Sequence, residues 1–151
     1  MSWAQTPVKF YADDSINNEQ YFAIKEAMEV WNAQFDTPVL ELIGRAKDLP
    51  VPQVNELGRV ITDGYNGIYI VEKDVFENTN VKDEQARTSI SFRGDYIYES
   101  DVLVDGSEKF YYEDVAIQAN EGKVQFKSLM IHEFGHVLGL GHIGDASVDS
   151  V

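Results

Sequence analysis

Residues 132–142 read HEFGHVLGLGH, and no other stretch restricts the chain so tightly, because its chemistry demands a helix, a helix end and a reversal in that order. His132 and His136 are four apart, so on an α-helix they lie only ~40° from each other around the axis and offer two imidazole nitrogens to one metal. Glu133 follows the first histidine. That offset turns its carboxylate away from direct ligation and toward a metal-bound water, whose proton it can take as the water attacks a carbonyl. Gly139 lets the helix stop, since glycine enters the left-handed region at little steric cost. His142 can then come back as a third ligand.

A lone histidine on a helix is usually a surface residue or a satisfied core residue, and a short HExxH arises by chance. This run is longer. It contains all 3 histidines of the protein, and with 0 cysteines in the chain no thiolate competes for a metal. Three protein nitrogens with a fourth position open to water is the catalytic zinc pattern. A closed structural site has no further candidate ligand here unless a carboxylate supplies it.

At these residues the chain resembles the metzincin clan of metalloendopeptidases, and HEFGHVLGLGH is most similar to the matrixin branch, including its bacterial members. The resemblance implies zinc on His132, His136 and His142, Glu133 as general base and proton shuttle, and hydrolysis of internal peptide bonds. It implies an α+β fold, whose upper subdomain has a twisted, mostly parallel five-stranded sheet with an antiparallel edge strand and two long helices. A short lower subdomain would carry a methionine-containing turn beneath the metal. Met1, Met28 and Met130 all precede His142, so the expectation is a single catalytic domain over residues 1–151 that stops just short of that turn. The alternative is a metzincin-like domain that keeps zinc but, lacking the turn, is weakly active or inactive and serves as a binding module. In the family the strand before the last long strand is a sheet edge along the cleft, where an extended peptide adds as a further strand. Ile90, Ser91 and Phe92 occupy the matching place and are the expected substrate-binding residues.

Composition narrows the remaining classes. With 151 residues and 44% apolar content, the chain is long enough for one domain with a sizeable core. The absence of cysteine excludes disulfides and thiolate chemistry. No apolar run approaches the ~20 residues of a membrane span, and no basic start followed by an apolar stretch marks a signal peptide. Met1-Ser2 is read as a start standing in place of a removed export signal. The expectation is a secreted or cell-envelope monomer whose partner is a protein or peptide substrate. A net charge of −14 argues against nucleic acid as a partner, because phosphate neutralisation needs clustered lysine and arginine. Surface carboxylates that keep a domain soluble explain the acidity. The sharper reading is a structural calcium ion, which many matrixin-like domains carry, with Asp101, Asp105 and Glu108 as candidates, although no D-x-D-x-D-G loop appears.

Along the chain, Pro7 to Ala12 reads as a strand, and Asp13-Asp14-Ser15 leads into a helix striped by Tyr21, Ile24, Met28, Trp31 and Phe35, which Thr37-Pro38 ends. Val39 to Ile43 and Gly67 to Val71 read as strands, with a polar connection from Arg45 to Glu56 and a solvated loop from Glu72 to Gln85. Ala86 to Phe92 and Tyr96 to Val104 form a hairpin about Arg93-Gly94-Asp95, a tripeptide that also spells an adhesion signal but that turns use for backbone reasons alone. Asp105 to Gly122 crosses the surface. The last helix runs from Val124 or Gln125 to Leu138, with Phe126, Met130, Phe134 and Val137 on its apolar face.

Overall fold

The computed structural model describes residues 2–47, 63–72, 85–113 and 122–140. Period-2 burial makes the first long strand: Val8, Phe10 and Ala12 of β2 (Val8–Asp13) are buried on one face while the residues between them are not. It follows a two-residue strand, β1 (Ser2–Trp3). Helix α1 (Asn18–Asn32) starts where Asn17 and Gln20 bond reciprocally, Gln20 N–H to Asn17 Oδ1 at 2.8 Å and Asn17 N–H to Gln20 Oε1 at 2.9 Å. Two of the helix's orphan donors are satisfied in this way. Its buried stripe is Gln20, Ala23, Ile24, Ala27 and Met28, with Tyr21 and Trp31 half-buried at the rims. Phe35, expected on that stripe, lies beyond the helix end and is 49% exposed. The Asn32 side chain explains the early stop. Its oxygen accepts from Val39 and Leu40 N–H, both at 2.9 Å, and its amide donates to Leu40 O at 2.9 Å, so the chain is turned directly into β3 (Leu40–Ala46).

The main sheet then builds outward from β2. Strand β2 is parallel to β3 on one side and to β4 (Gly67–Val71) on the other, and β4 is parallel to β6 (Tyr96–Asp105). Strand β5 (Ala86–Arg93) runs antiparallel along the far edge of β6, through a tight turn in which Gly94 has φ 61°. These are the five strands expected, with the antiparallel one outermost. A sixth is added: β1 pairs with the start of β6, Ser2 opposite Tyr96 and Trp3 opposite Ile97, on the edge that β4 occupies further along.

Helix α2 (Phe126–Val137) lies with α1 on one face of this sheet. Phe126, Met130, Phe134 and Val137 are all 0% exposed and join Phe10, Ile24 and Met28 in the main core. The helix begins after Val124, because Val124–Gln125 form β8, paired in parallel with β7 (Phe110–Tyr111). The segment expected to cross the surface therefore includes a short pairing that fixes the helix's entry. Two indoles hold α2 in place: Trp31 Nε1 donates to Ile131 O at 2.8 Å and Trp3 Nε1 to Val137 O at 2.6 Å. The opposite face of the sheet carries a smaller cluster of Tyr69, Val71 and Leu103.

Candidate metal centre

The end of α2 is shaped by Gly139, whose φ of 95° is left-handed. Gly139 N–H bonds to His136 O at 2.9 Å and Leu140 N–H to Gly135 O at 2.9 Å, the paired bonds of a glycine-terminated helix. This reversal carries the Leu140 carbonyl back over the last turn, 2.8 Å from His136 Nδ1. A carbonyl only accepts, so Nδ1 holds a proton, and in the neutral ring Nε2 is the nitrogen with the lone pair. That nitrogen faces His132, with the two Nε2 atoms 3.1 Å apart and the rings at 89°. Two zinc–nitrogen bonds of about 2.05 Å at the tetrahedral angle place their nitrogens about 3.3 Å apart, so the pair fits one shared ion. His136 is 4% exposed and the His132 side chain 53%, which leaves the pair rooted in the core and open on one side.

Glu133 lies between this pair and the sheet edge. It is 4% exposed, its Oε2 is 4.0 Å from His132 Nε2, and with both histidines it forms a group that could hold a metal. Thr88 of β5 meets it from the other side, with Oγ1 3.0 Å from Glu133 Oε1 and 3.2 Å from its backbone oxygen. Thr88 was not among the residues singled out by sequence. The available signal was a hydroxyl two residues after Ala86, on the core-facing side of a strand where apolar side chains are the rule.

Of the other expected site residues, His142 lies outside the described residues, as do 48–62 and 73–84, which hold most of the two expected loops. Ile90, Ser91 and Phe92 are on β5, opposite Ser100, Glu99 and Ile97 of β6, with a bulge between Ser91 and Phe92. Ile90 and Ser91 are half-buried and Phe92 is exposed. Among the described residues β5 pairs only with β6, so its outer edge carries no strand.

Asp101, Asp105 and Glu108 do not come together as one site. The Asp105 carboxylate accepts from Ser107 N–H at 2.9 Å and Ser107 Oγ at 2.7 Å and so closes the turn after β6. Asp101 instead joins Asp63 and Glu99, with one oxygen of each within 4.8 Å of the others. Residues 99, 101 and 103 share the sheet face away from the helices, by strand alternation. Glu99 accepts from Gly64 N–H at 2.6 Å and Asp63 N–H at 2.9 Å, and Asp101 accepts from Gly67 N–H at 3.1 Å. Burial pushes the Asp101 carboxyl up to about 8, against the Gly67 N–H, and the like charges of Asp63 and Glu99 push the same way. Among the described residues the buried Tyr69 hydroxyl beside them has no hydrogen-bond partner, and burial, then Asp101, raises its pKa.

A protein-family model described as Matrixin matches residues 66–148, which span β4, the β5–β6 hairpin and all of α2. No curated protein and no solved structure matches the chain.

Proposed function

The chain belongs to the matrixin family, and from that premise we propose that it is a zinc-dependent endopeptidase acting on internal bonds of protein or peptide substrates. The family implies zinc and a peptide substrate. What supports the finer reading is a single arrangement: two imidazole Nε2 atoms 3.1 Å apart beside a buried carboxylate that is offset from them. His132 and His136 would hold the ion, with His142 as the third ligand. Zinc, when bound, supplies Lewis acidity that polarises a scissile carbonyl and makes a nearby water easier to deprotonate.

The rest is done by the chain's own groups. Glu133 takes a proton from water at Oε2 and passes it to the leaving amine, which spares the reaction a separate acid. The outer edge of β5, at Ile90 to Phe92, offers backbone N–H and C=O groups to an extended peptide and so aligns the bond to be cut. Among the described residues no helix is long and apolar enough to cross a membrane. Secretion fits the family and is part of the proposal. So is a structural cation such as calcium at Asp63, Glu99 and Asp101, the acidic group that the fold brings together.

The test is a comparison of the wild-type chain with Glu133→Gln, measuring bound zinc and hydrolysis of an unstructured protein such as casein. The expected outcome is equal zinc in both and hydrolysis in the wild type alone. Stoichiometric zinc without any wild-type hydrolysis would instead make this a zinc-holding binding module.

A further inference from the structure

We propose that Thr88 positions the Glu133 carboxylate, holding Oε1 so that Oε2 faces the His132–His136 pair. The inference rests on the reading above that Glu133 acts on water. Glutamate is a long side chain whose terminal torsion has broad, nearly two-fold preferences, so a carboxylate aimed by its own backbone alone samples several directions. Here a single hydroxyl lies within reach of both ends of the residue, 3.0 Å from Oε1 and 3.2 Å from the backbone oxygen. Both are acceptors, so its one proton is directed to the nearer Oε1, with the backbone oxygen as a weaker, shared partner. Thr88 is 0% exposed and Glu133 4%, so the bond forms with little competition from water. The two carboxylate oxygens are thereby given different tasks. Oε1 is anchored to the sheet, and Oε2 is left 4.0 Å from His132 Nε2.

The residue type fits this role better than a packing role. Thr88 lies opposite Val102 in the ladder and on the same strand face as Ala86, where a valine would fill the same volume without a buried hydroxyl. The anchor also has a geometric consequence. Because Thr88 belongs to the edge strand, two residues before Ile90, the base and the strand proposed to align the peptide are held in one register.

The experiment uses the zinc-loaded chain as wild type, Thr88→Val and Thr88→Ser. Side-chain 13C relaxation at Glu133 reports its order, and zinc affinity, melting temperature, kcat and KM are measured alongside. Wild type and Thr88→Ser should show one ordered Glu133 rotamer, and Thr88→Val an averaged one at unchanged zinc affinity. In the same variant kcat should fall about tenfold with KM unchanged, a fraction of the 10²–10⁴-fold worth of a general base, and Thr88→Ser should recover it to within about twofold. Should the valine not fold, Thr88→Ala makes the same comparison. Glu133 as ordered in Thr88→Val as in the wild type, or an active enzyme whose kcat ignores the substitution, would overturn the assignment. A chain that shows the Thr88-dependent order but hydrolyses nothing would sink the peptidase reading and leave the anchor standing.

Discussion

Asp101→Asn isolates the electrostatic cost of the acidic cluster on the sheet's far face. An aspartate in the unfolded chain loses its proton near 3.8, whereas burial, with Asp63 and Glu99 close by, holds Asp101 protonated up to about 8. Between those two values the folded state binds more protons than the unfolded one, so stability falls as pH rises and levels off above the folded pKa. The gap is worth on the order of 5 kcal/mol across that window, a large share of the stability of a domain this size. Asparagine keeps an acceptor for the Gly67 N–H, 3.1 Å away, but carries no proton to lose. In metal-free buffer the variant should therefore match the wild type only below about pH 4, exceed it by roughly 1–2 kcal/mol near pH 5 and by several kcal/mol near pH 9, on the scale just worked out. The 26 acidic residues of the chain all add to the absolute curve, so the quantity to read is the difference between the two proteins in urea unfolding. A difference that stays flat from pH 5 to pH 9 would refute the reasoning.

Two further outcomes concern the acidic cluster and the contact between the two helices. Millimolar calcium should raise the melting temperature more at pH 8 than at pH 6, because an ion at Asp63, Glu99 and Asp101 must displace the Asp101 proton, and magnesium serves as the control; an equal shift in Asp101→Asn would contradict it. Gly135→Ala would bring a Cβ to 3.1 Å from Trp31 Cζ2 at the α1–α2 contact, an overpacking that costs about 1–3 kcal/mol against the roughly 1 kcal/mol returned by replacing a glycine inside a helix. Net stability should therefore fall by up to about 2 kcal/mol in urea unfolding, and a net gain would mean that the indole gives way freely.

The candidate metal site was legible because its residues are local. His132, Glu133, His136 and Gly139 fall within one helix and its end, so spacing alone gives their relative placement. The strands from β2 to β6 were legible for a similar reason, since each alternates or runs apolar over five residues or more. What escaped depends on contacts between distant segments. A two-residue strand such as β1 has no period to detect, and it exists because the start of β6 offers it a partner. Phe35 continues the apolar spacing of α1, but Asn32 finds better partners in Val39 and Leu40 than the helix could give it. The Thr88–Glu133 bond joins residues 45 apart in sequence. The acidic cluster likewise draws Asp63 from before β4 to Glu99 and Asp101 on β6, so no linear pattern marks it.

X-ray absorption at the zinc edge, on the wild-type chain and on His136→Ala, addresses the metal centre most directly. The wild type should take up one zinc per chain, with imidazole nitrogens at about 2.0–2.1 Å dominating the scattering, and with no sulfur because the chain has 0 cysteines. His136→Ala should lose most of that zinc, since the remaining imidazoles are an incomplete set. A wild-type chain that takes up no zinc, or a zinc spectrum and affinity unchanged by His136→Ala, would contradict the placement of the metal on His132 and His136.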